Sequence, residues 1–533
     1  MIKKLLFIGL LASTTALFSQ NQVPEINNFS YTLGTGNITF TYDLFDAEND
    51  TCEVFLRASA NGVDYDVKPL LATGDIGAGI VPGSGKEIVW THTIEFLLGN
   101  REDYSFQLVA DDGYEFNIQA VVDQIDTNEI LSNFLKVYGN NHPASPDHYQ
   151  ATRENIFTHY LINGYTAETD SFVFIGDEVV LPREGLNIYG TKTGLVNADS
   201  TVIMSGHYDT VEETKGADDN AMSVAVTMEA ARILKNLQFK NSIRFAHWDL
   251  EEEGLVGANY YANSAKVIGT KSVINFDGMT IYKTEPNSQK IPTGFNILFP
   301  AAYAKAEADS FRGNFITVIG DFFSSKLNQQ AVQAFETYTP GFRYIDVTCP
   351  DPACVIATDL RRSDHAPFWD KGIPSVFMTS STEFRTDCYH QPCDTTYNLW
   401  YSGEVIKAAT ALLVEQAGIM HAAIAVASNV TGVEQNNNDE SMVRFFPNPV
   451  VESAYIALNA KTGGELVLTL LQNDGKVVKQ MKRQVSAGKQ NVVWQPKDVG
   501  SGQYIVHVSL NGKIILRETI VLAIDNTKYQ HRH

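Results

Sequence analysis

The chain has 533 residues, 44% of them hydrophobic and 19% charged, and its formal net charge is -22. A chain of this length folds as several domains, taking roughly 150 residues for each, and its apolar content is ample for buried cores. The negative charge argues against nucleic acid as a partner, because nucleic acid selects basic surfaces.

The first 19 residues have the features of an export signal. Lys3 and Lys4 precede an apolar run from Leu5 to Leu17, and the small residue Ser19 offers a cleavage point. A buried N-terminal helix is the alternative. The run is short for a membrane span, and no later segment of the sequence reaches the required length of about 20 apolar residues. We therefore predict a signal peptide over residues 1–19, no membrane span and a protein that leaves the cytoplasm.

Short runs of alternating polar and apolar residues follow in residues 20–122. Examples are Asn37–Tyr42, Glu53–Leu56 and Tyr104–Val109, separated by stretches rich in Gly, Asn and Asp. This alternation predicts an antiparallel, immunoglobulin-like β-sandwich. The segment shows no catalytic constellation, which favours a structural or interaction module.

Strand and helix signals alternate in residues 126–427. Strand-like runs include Thr201–Met204, Ile243–His247 and Ser272–Phe276, and a helical pattern extends from Asp219 to Leu237. This order predicts an α/β domain with a mostly parallel central sheet flanked by helices. In such domains, functional sites gather at the carboxyl ends of the strands.

Five residues in this segment have side chains that suit zinc, and four of them follow a strand or precede a helix. Taken singly, three of them have a simpler explanation: His207 as a solvated turn histidine, Asp219 as a helix cap and Glu252 as part of an exposed acidic helix start. Together, two imidazoles and three carboxylates, one of them shared, suffice for two zinc ions and leave positions open for water and substrate. The set indicates metal-assisted hydrolysis. Its members are His207, Asp219, Glu252, Asp277 and His390.

The cysteines fit an extracellular protein. Cys349 and Cys354 are close in sequence, as are Cys388 and Cys393, so we predict two local disulfides, with Cys52 left over. A structural zinc site with four cysteine ligands is the alternative, although the spacings are not of the Cys-x2-Cys kind.

A polar stretch over residues 428–442 predicts a linker, and a second β-rich block follows over residues 443–524. This block resembles the C-terminal sorting domain of the type IX secretion system, through Phe-Pro-Asn-Pro at 446–449, Gly-Gln-Tyr at 502–504 and Ile-Val-Leu at 520–522. The resemblance implies export by the type IX machinery to the surface or surroundings of a Gram-negative bacterium. The alternative is another adhesive sandwich.

The motifs of the central domain resemble those of the dizinc aminopeptidases of metallopeptidase family 28, typified by secreted bacterial leucyl aminopeptidases. The similarity covers most of residues 126–427 and includes Arg-Ser-Asp-His at 362–365 and Gly-Ile-Pro at 372–374. The motifs that carry it are His-x-Asp at 207–209, Gly-Ala-Asp-Asp-Asn at 216–220, Glu-Glu-x-Gly-Leu at 251–255, Asp277 and Tyr-His at 389–390.

The resemblance implies a role for each of the five metal-type residues. His207 and Asp277 would hold one zinc ion, and Glu252 and His390 would hold the other. Asp219 would bridge the two ions and be joined to the next residue by a cis peptide bond.

The resemblance also implies roles for neighbouring residues. Glu251 would be the general base, Asp209 would orient His207, and Ser363 would similarly support His390. A shift of one residue would instead make Glu252 the base and Glu253 the ligand. The Tyr389 phenol would donate to the developing oxyanion, although packing within its loop is an equally simple explanation for this side chain.

We therefore predict a secreted zinc aminopeptidase that releases N-terminal residues from peptides or proteins. Two zinc ions would supply a hydroxide at neutral pH, and Glu251 would take its proton and return it to the leaving amine. One alternative is an enzyme similar to glutaminyl cyclase, with a single zinc ion. The other is a non-catalytic surface-binding protein whose metal site is structural or degenerate.

Overall fold

The computed structural model describes residues 21–34, 36–59, 65, 67–91, 105–175, 183–428, 442–446, 454–472, 476–496, 499 and 502–522. The chain divides into two compact units, residues 1–116 with 419–430 and residues 117–418 with 431–533. The predicted signal peptide, nearly all of the predicted linker and the Pro447–Pro449 part of the sorting motif lie outside the described residues. Within the described ranges, no helix is long and apolar enough to cross a bilayer.

The first unit opens with seven strands. Alternate residues of the second strand, from Ile38 to Leu44, are buried, as the period-two pattern predicts. Strands β1, β2, β6 and β4 form one antiparallel sheet. Their buried side chains share a core with those of β3 and β7, where the rings of Phe40 and Phe106 meet edge to face. The strands are β1 Glu25–Leu33, β2 Asn37–Phe45, β3 Cys52–Ser59, β4 Ala72–Gly74, β5 Gly77–Ile80, β6 Gly83–Thr91 and β7 Ser105–Asp111.

Helices and strands then alternate, as predicted. Helix α4 is buried along nearly its whole length, which explains why most of its residues are apolar. The helices are α1 Ile118–Val122, α2 Thr127–Val137, α3 Pro146–Ile162, α4 Met222–Leu234, α5 Val256–Ala262, α6 Phe295–Leu298, α7 Pro300–Ala308, α8 Ser325–Tyr338, α9 Ala366–Trp369 and α10 Leu399–Ala417. The strands are β8 Thr166–Phe174, β9 Arg183–Lys192, β10 Asn197–His207, β11 Gln238–Phe239, β12 Asn241–Trp248, β13 Thr270–Phe276, β14 Ile316–Gly320, β15 Tyr344–Thr348, β16 Ser375–Thr379 and β17 Ile419–Met420.

Eight of these strands form one mixed sheet in the order β15-β14-β16-β13-β10-β12-β9-β8. Its centre is parallel, since β10 pairs in parallel with β12 and β13, and β13 with β16. On one side, β9 pairs antiparallel with β12, and β8 pairs antiparallel with β9. On the other side, β14 pairs antiparallel with β16. The predicted α/β domain is therefore present, with a sheet that is parallel at its centre and mixed towards both edges.

Strand β18 (Ala422–Ser428) belongs to the first unit. It pairs antiparallel with β7, from Ala422 opposite Asp111 to Ser428 opposite Ser105, and completes the sheet β18-β7-β3-β5. The structure thus differs from the predicted boundaries, which assigned residues 422–427 to the catalytic segment 126–427 and Ser428 to the linker. It differs at the other boundary too, because Asn117 caps α1 and opens the second unit five residues before the predicted end of the sandwich.

The last strands form two antiparallel sheets, β19-β20-β23 and β22-β21-β24-β25. Buried residues from both sheets, including Ile456, Leu468 and Val506, share one core. The alternating sequence Gly464–Leu471 buries every second side chain from Leu466 onward. The strands are β19 Met442–Phe446, β20 Ala454–Ala460, β21 Gly464–Leu471, β22 Val477–Val485, β23 Gly488–Trp494, β24 Gly502–Leu510 and β25 Lys513–Leu522.

Candidate active site

The predicted metal residues lie where parallel neighbours of the central sheet end. His207 is the last residue of β10, Asp277 directly follows β13, and the Glu251–Glu252 pair comes three residues after β12. Because these strands are adjacent and parallel, their carboxyl ends meet at one edge of the sheet. Asp219 lies just before buried α4, which packs on β10. The fold therefore explains why motifs so distant in sequence converge.

The five side chains form two groups that share Asp219. His207, Asp219 and Asp277 form one group and Asp219, Glu252 and His390 the other, with the potential ligand atoms of each within 4.8 Å of one another. Asp219 places one oxygen 3.2 Å from His207 Nε2 and the other 3.2 Å from His390 Nε2. Glu252 Oε2 lies 3.0 Å from His390 Nε2, and Asp277 Oδ2 lies 3.7 Å from His207 Nε2. One carboxylate therefore faces both histidines, as a bridging ligand must.

The electrostatics of this cluster fit divalent cations. His207 Nε2, His390 Nε2 and Glu252 Oε1 are buried and have no hydrogen-bond partner among the described residues. Burial raises the pKa of Glu251 well above its ordinary value and that of Glu252 to about 7. A bound cation offsets this cost of burying carboxylates, and imidazole nitrogens with carboxylate oxygens are ligands that zinc accepts. The residues present therefore fit zinc.

Asp209 connects His207 to the two glutamates. His207 Nδ1 lies 3.1 Å from the Asp209 carbonyl oxygen and 3.5 Å from its carboxylate. A proton on Nδ1 leaves Nε2 free to bind a metal. The Asp209 carboxylate itself accepts the backbone N–H groups of Glu251 at 3.1 Å and Glu252 at 3.2 Å. Asp209 thus fixes both the imidazole and the acidic loop.

Asp394 and Asp218 hold the segment around Asp219. The Asp394 carboxylate accepts the backbone N–H groups of Asp218 at 3.0 Å and Asp219 at 3.1 Å. Asp218 accepts the Thr280 N–H at 2.7 Å, and Asn220 donates to the Phe276 carbonyl at 3.0 Å. These bonds join the bridging residue to the loops of His390 and Asp277. The Asp219–Asn220 peptide is cis, as expected.

The three carboxylates of the acidic run, residues 251–253, lie in different surroundings. Glu252 faces His390, whereas Glu251 Oε2 lies 3.9 Å from His207 Nε2. Glu253 forms an ion pair with Arg183 and belongs to neither metal group. This division favours Glu252 as the ligand over the register shifted by one residue.

Asp249, the residue before Leu250, supports the end of β12. Its buried carboxylate accepts hydrogen bonds from the Tyr149 and Tyr208 phenols and the Leu186 N–H, and it pairs with Arg153 at 2.6 Å. A buried charge needs such partners to offset its desolvation. Asp249 was not predicted from the sequence, because it adjoins an acidic run that already accounts for the local charge.

Ser363 and the Tyr389–His390 pair depart in part from expectation. Ser363 Oγ accepts from Asn275 Nδ2 at 2.9 Å and hydrogen-bonds the Asp277 carboxylate. It therefore supports Asp277, where the sequence had predicted support for His390. The His390 ring instead stacks on that of Tyr389, with their centroids 3.8 Å apart.

Asp364, next to Ser363, is a further acid near the site for which the sequence predicted no role. Neither of its buried oxygens has a hydrogen-bond partner among the described residues. Burial raises its pKa well above the ordinary value, and the charge of His207 opposes that rise. The only sequence signal for it was the Arg-Ser-Asp-His segment itself.

Both predicted disulfides are confirmed. Cys349 bonds to Cys354, and Cys388 bonds to Cys393, whereas Cys52 is buried and free. The second disulfide closes the loop that carries Tyr389 and His390, so it restricts the positions available to both side chains.

An apolar pocket adjoins the cluster through Asp277 and Tyr389. Part of its wall belongs to a buried apolar core. Arg362, Lys290 and Glu383 add charged groups to its lining. The apolar walls include Phe295, Phe315, Ile319, Ile345, Leu360 and Phe377.

Family comparisons agree with both resemblances drawn from the motifs. Residues 187–414 match the model of peptidase family M28, and residues 444–522 match that of the secretion system C-terminal sorting domain. The chain therefore contains an M28 peptidase domain followed by a sorting domain, and the predicted recognition of both is confirmed.

Individual relatives match parts of the chain. A probable zinc metalloprotease of Leptosphaeria maculans is 25% identical over 323 residues, which cover 55% of this chain and 72% of the relative. A probable leucine aminopeptidase 2 of Aspergillus fumigatus is 29% identical over 171 residues, covering 30% of this chain and 32% of the relative. The LapA aminopeptidase structure of Legionella pneumophila is 20% identical, with a TM-score of 0.41, and the match covers 57% of this chain and 74% of that chain. The alignments thus leave between about a quarter and two thirds of each of these proteins unmatched.

Proposed function

We propose that this protein is an exported zinc aminopeptidase that removes N-terminal residues from peptides or proteins. The observation that carries the proposal is the position of Asp219, whose two oxygens each lie 3.2 Å from a different histidine. A carboxylate shared in this way suits a pair of ions. The M28 domain match and the names of the zinc metalloprotease and aminopeptidase relatives support the proposal, and the sorting domain match supports export by the type IX machinery.

The ligands divide between two positions. His207 and Asp277 would hold one ion, Glu252 and His390 the other, and Asp219 would contact both. Two zinc ions, when bound, supply Lewis acidity and lower the pKa of a water molecule. We propose that side chains of the protein carry out all other steps.

Glu251 is the proposed proton carrier. Its carboxylate lies beside the ligand cluster, 3.9 Å from His207 Nε2, and Asp209 fixes its backbone N–H. We propose that it takes the proton of the attacking water and delivers it to the nitrogen of the leaving peptide. The excess of carboxylates in the cluster also favours the positively charged α-amino group of a chain end. Exopeptidase action is therefore the favoured reaction.

Tyr389 is the proposed donor to the oxyanion. Its phenolic oxygen accepts a hydrogen bond from Arg362 Nη2 at 3.1 Å, and the guanidinium is itself held by Glu383 at 2.6 Å. Since the phenol oxygen already accepts from Arg362, its own proton remains available for donation. An oxyanion stabilised in this way requires a donor that is in position before the reaction.

The apolar pocket is the proposed site for the side chain of the N-terminal residue. It begins at Asp277, within one metal group, and extends along side chains of an apolar core such as Phe315, Ile319 and Phe377. Its aromatic and branched walls favour leucine, methionine or phenylalanine over small or acidic residues.

A panel of aminoacyl chromogenic amides tests this function. We expect about two zinc ions per chain by elemental analysis, chelator-sensitive release of the chromogen, and a preference for large apolar residues. One zinc ion with cyclisation of N-terminal glutamine would instead identify a cyclase. Absence of zinc and of turnover would leave a binding protein.

The role of Tyr389 gives a second prediction. Tyr389→Phe should lower kcat on the order of 10²-fold with little change in KM, because the lost donor acts mainly in the transition state. Arg362→Gln should lower kcat in the wild-type background and have little further effect in the Tyr389→Phe background, because it acts through the phenol. Independent, additive losses in the double variant would contradict the proposal that Arg362 acts through the Tyr389 phenol.

A further inference from the structure

A second depression reaches the ligand cluster and shares no lining residue with the apolar pocket. It contacts the cluster through Asp209 and Glu252, whereas the apolar pocket does so through Asp277 and Tyr389. The remaining lining is polar or charged for the most part and includes His142, Arg183, Thr210, Glu212 and Glu253. The two cavities therefore offer opposite chemistry to the two sides of a scissile bond.

We infer that this depression binds the first residue of the leaving peptide and favours a basic side chain there over an acidic one. The inference rests on the proposed function. Leu250 and Glu252, which flank the proton carrier Glu251, both line the depression. Because the proton must reach the nitrogen of the leaving peptide, that peptide has to pass on this side of the cluster.

The two cavities also differ in what lies behind them. Part of the wall of the apolar pocket belongs to a buried apolar core. The depression has the exposed Glu212 in its lining, so a bound peptide has a route to solvent. A chain that continues for further residues requires such a route.

The charges of the depression set its preference. Glu253 is neutralised by Arg183, and the Asp209 carboxylate is occupied by two backbone N–H groups. Burial, followed by the charge of Arg183, lowers the pKa of His142, so this imidazole is neutral near pH 7 and leaves Glu212 uncompensated.

Glu252 also lines the depression, but its carboxylate belongs to the ligand cluster and is assigned to a metal ion. Glu212 is therefore the acidic side chain in this lining that remains available to a bound peptide. Its negative charge suits a basic side chain and disfavours an acidic one.

The loop that carries Glu212 is held in place. Thr210, two residues earlier, is buried and exchanges hydrogen bonds with Asn141, since its N–H donates to the Asn141 carbonyl and its hydroxyl accepts the Asn141 N–H. The Asn141 side chain is in turn fixed by Thr152 and the Val137 carbonyl. The backbone that carries Glu212 is therefore held in a defined position close to the site.

The test compares three substrates on the full chain, namely leucyl-lysyl-alanine amide, leucyl-alanyl-alanine amide and leucyl-glutamyl-alanine amide. In the wild type, we expect kcat/KM to be highest for lysine and lowest for glutamate. Glu212→Gln should lower the lysine-to-glutamate ratio roughly two- to five-fold, as loss of an exposed ion pair does. Glu212→Lys should reverse the preference, and about 1 M salt should weaken it.

Glu213→Gln is the matched control, because Glu213 is an exposed neighbour that does not line the depression. It removes the same charge and should keep the wild-type ratio. An equal ratio in the wild type and Glu212→Lys, or an equal shift in Glu213→Gln, would overturn the inference, since the second result would reflect net charge alone. Release of leucine from all three peptides at one rate would overturn it while leaving the proposed function intact, whereas no release from any peptide would overturn both.

Discussion

Glu251→Gln is expected to reduce turnover by about 10²- to 10⁴-fold, the usual contribution of a general base. The substitution keeps the size of the side chain and removes only its ability to accept and return a proton. Since the described contacts of Glu251 place it beside the ligands and outside both metal groups, zinc content should remain at the wild-type value. Steady-state kinetics on a leucyl amide and elemental analysis of the same sample would measure both quantities.

Glu253→Gln is the matched comparison for this variant. Glu253 pairs with Arg183, so its loss should leave zinc in place and lower turnover far less than Glu251→Gln does. If Glu253→Gln lost zinc and Glu251→Gln retained its activity, the roles would be shifted by one residue, with Glu252 as the base and Glu253 as the ligand. Thermal unfolding of both variants would show that each is folded.

Asp219→Ala is expected to remove both zinc ions and, with them, measurable turnover. The reason is its shared position, since no other carboxylate in the described chain belongs to both metal groups. Elemental analysis should give a zinc content close to zero. The melting temperature should fall as well and should no longer respond to a chelator, because binding that stabilises only the folded state has been lost.

Asp277→Ala distinguishes bridging from a general loss of structure. Asp277 belongs to one metal group alone, so this variant should keep about one zinc ion, held by the other group. If Asp219→Ala and Asp277→Ala retained equal amounts of zinc, the bridging role of Asp219 would be wrong. Circular dichroism of both proteins would confirm that the sheet is intact.

The sequence led to the proposed ligand set because four of its five members lie in local motifs at the end of a strand or the start of a helix. It did not predict the hydrogen bonds between the loops. Asp394 and Asp219, which are 175 residues apart, meet only because the sheet brings their loops together. The contacts of Ser363 with Asn275 and Asp277 could not be predicted for the same reason, since nothing in its local sequence indicates whether His390 or Asp277 lies beside it.

The fold shows a similar limit. Alternation identified strands in the outer β-rich segments and the change to an α/β pattern between them. It did not identify the partner of residues 422–428, because a short apolar strand has the same pattern in either sheet. Pairing is decided by packing over long range, and here it assigned the strand to β7.

The pairing of β18 with β7 has a consequence for biogenesis. The other strands of the first unit are synthesised early. The edge of β7 stays uncovered until the ribosome has also made residues 117–418, which are called the peptidase segment below. His421 and Asp112, 309 residues apart, then join the two ends of that insertion through a hydrogen bond. A nascent chain therefore carries an open sheet edge throughout synthesis of the peptidase segment, and an exposed edge invites pairing with other chains. The first unit can therefore be completed only after the whole peptidase segment has been made.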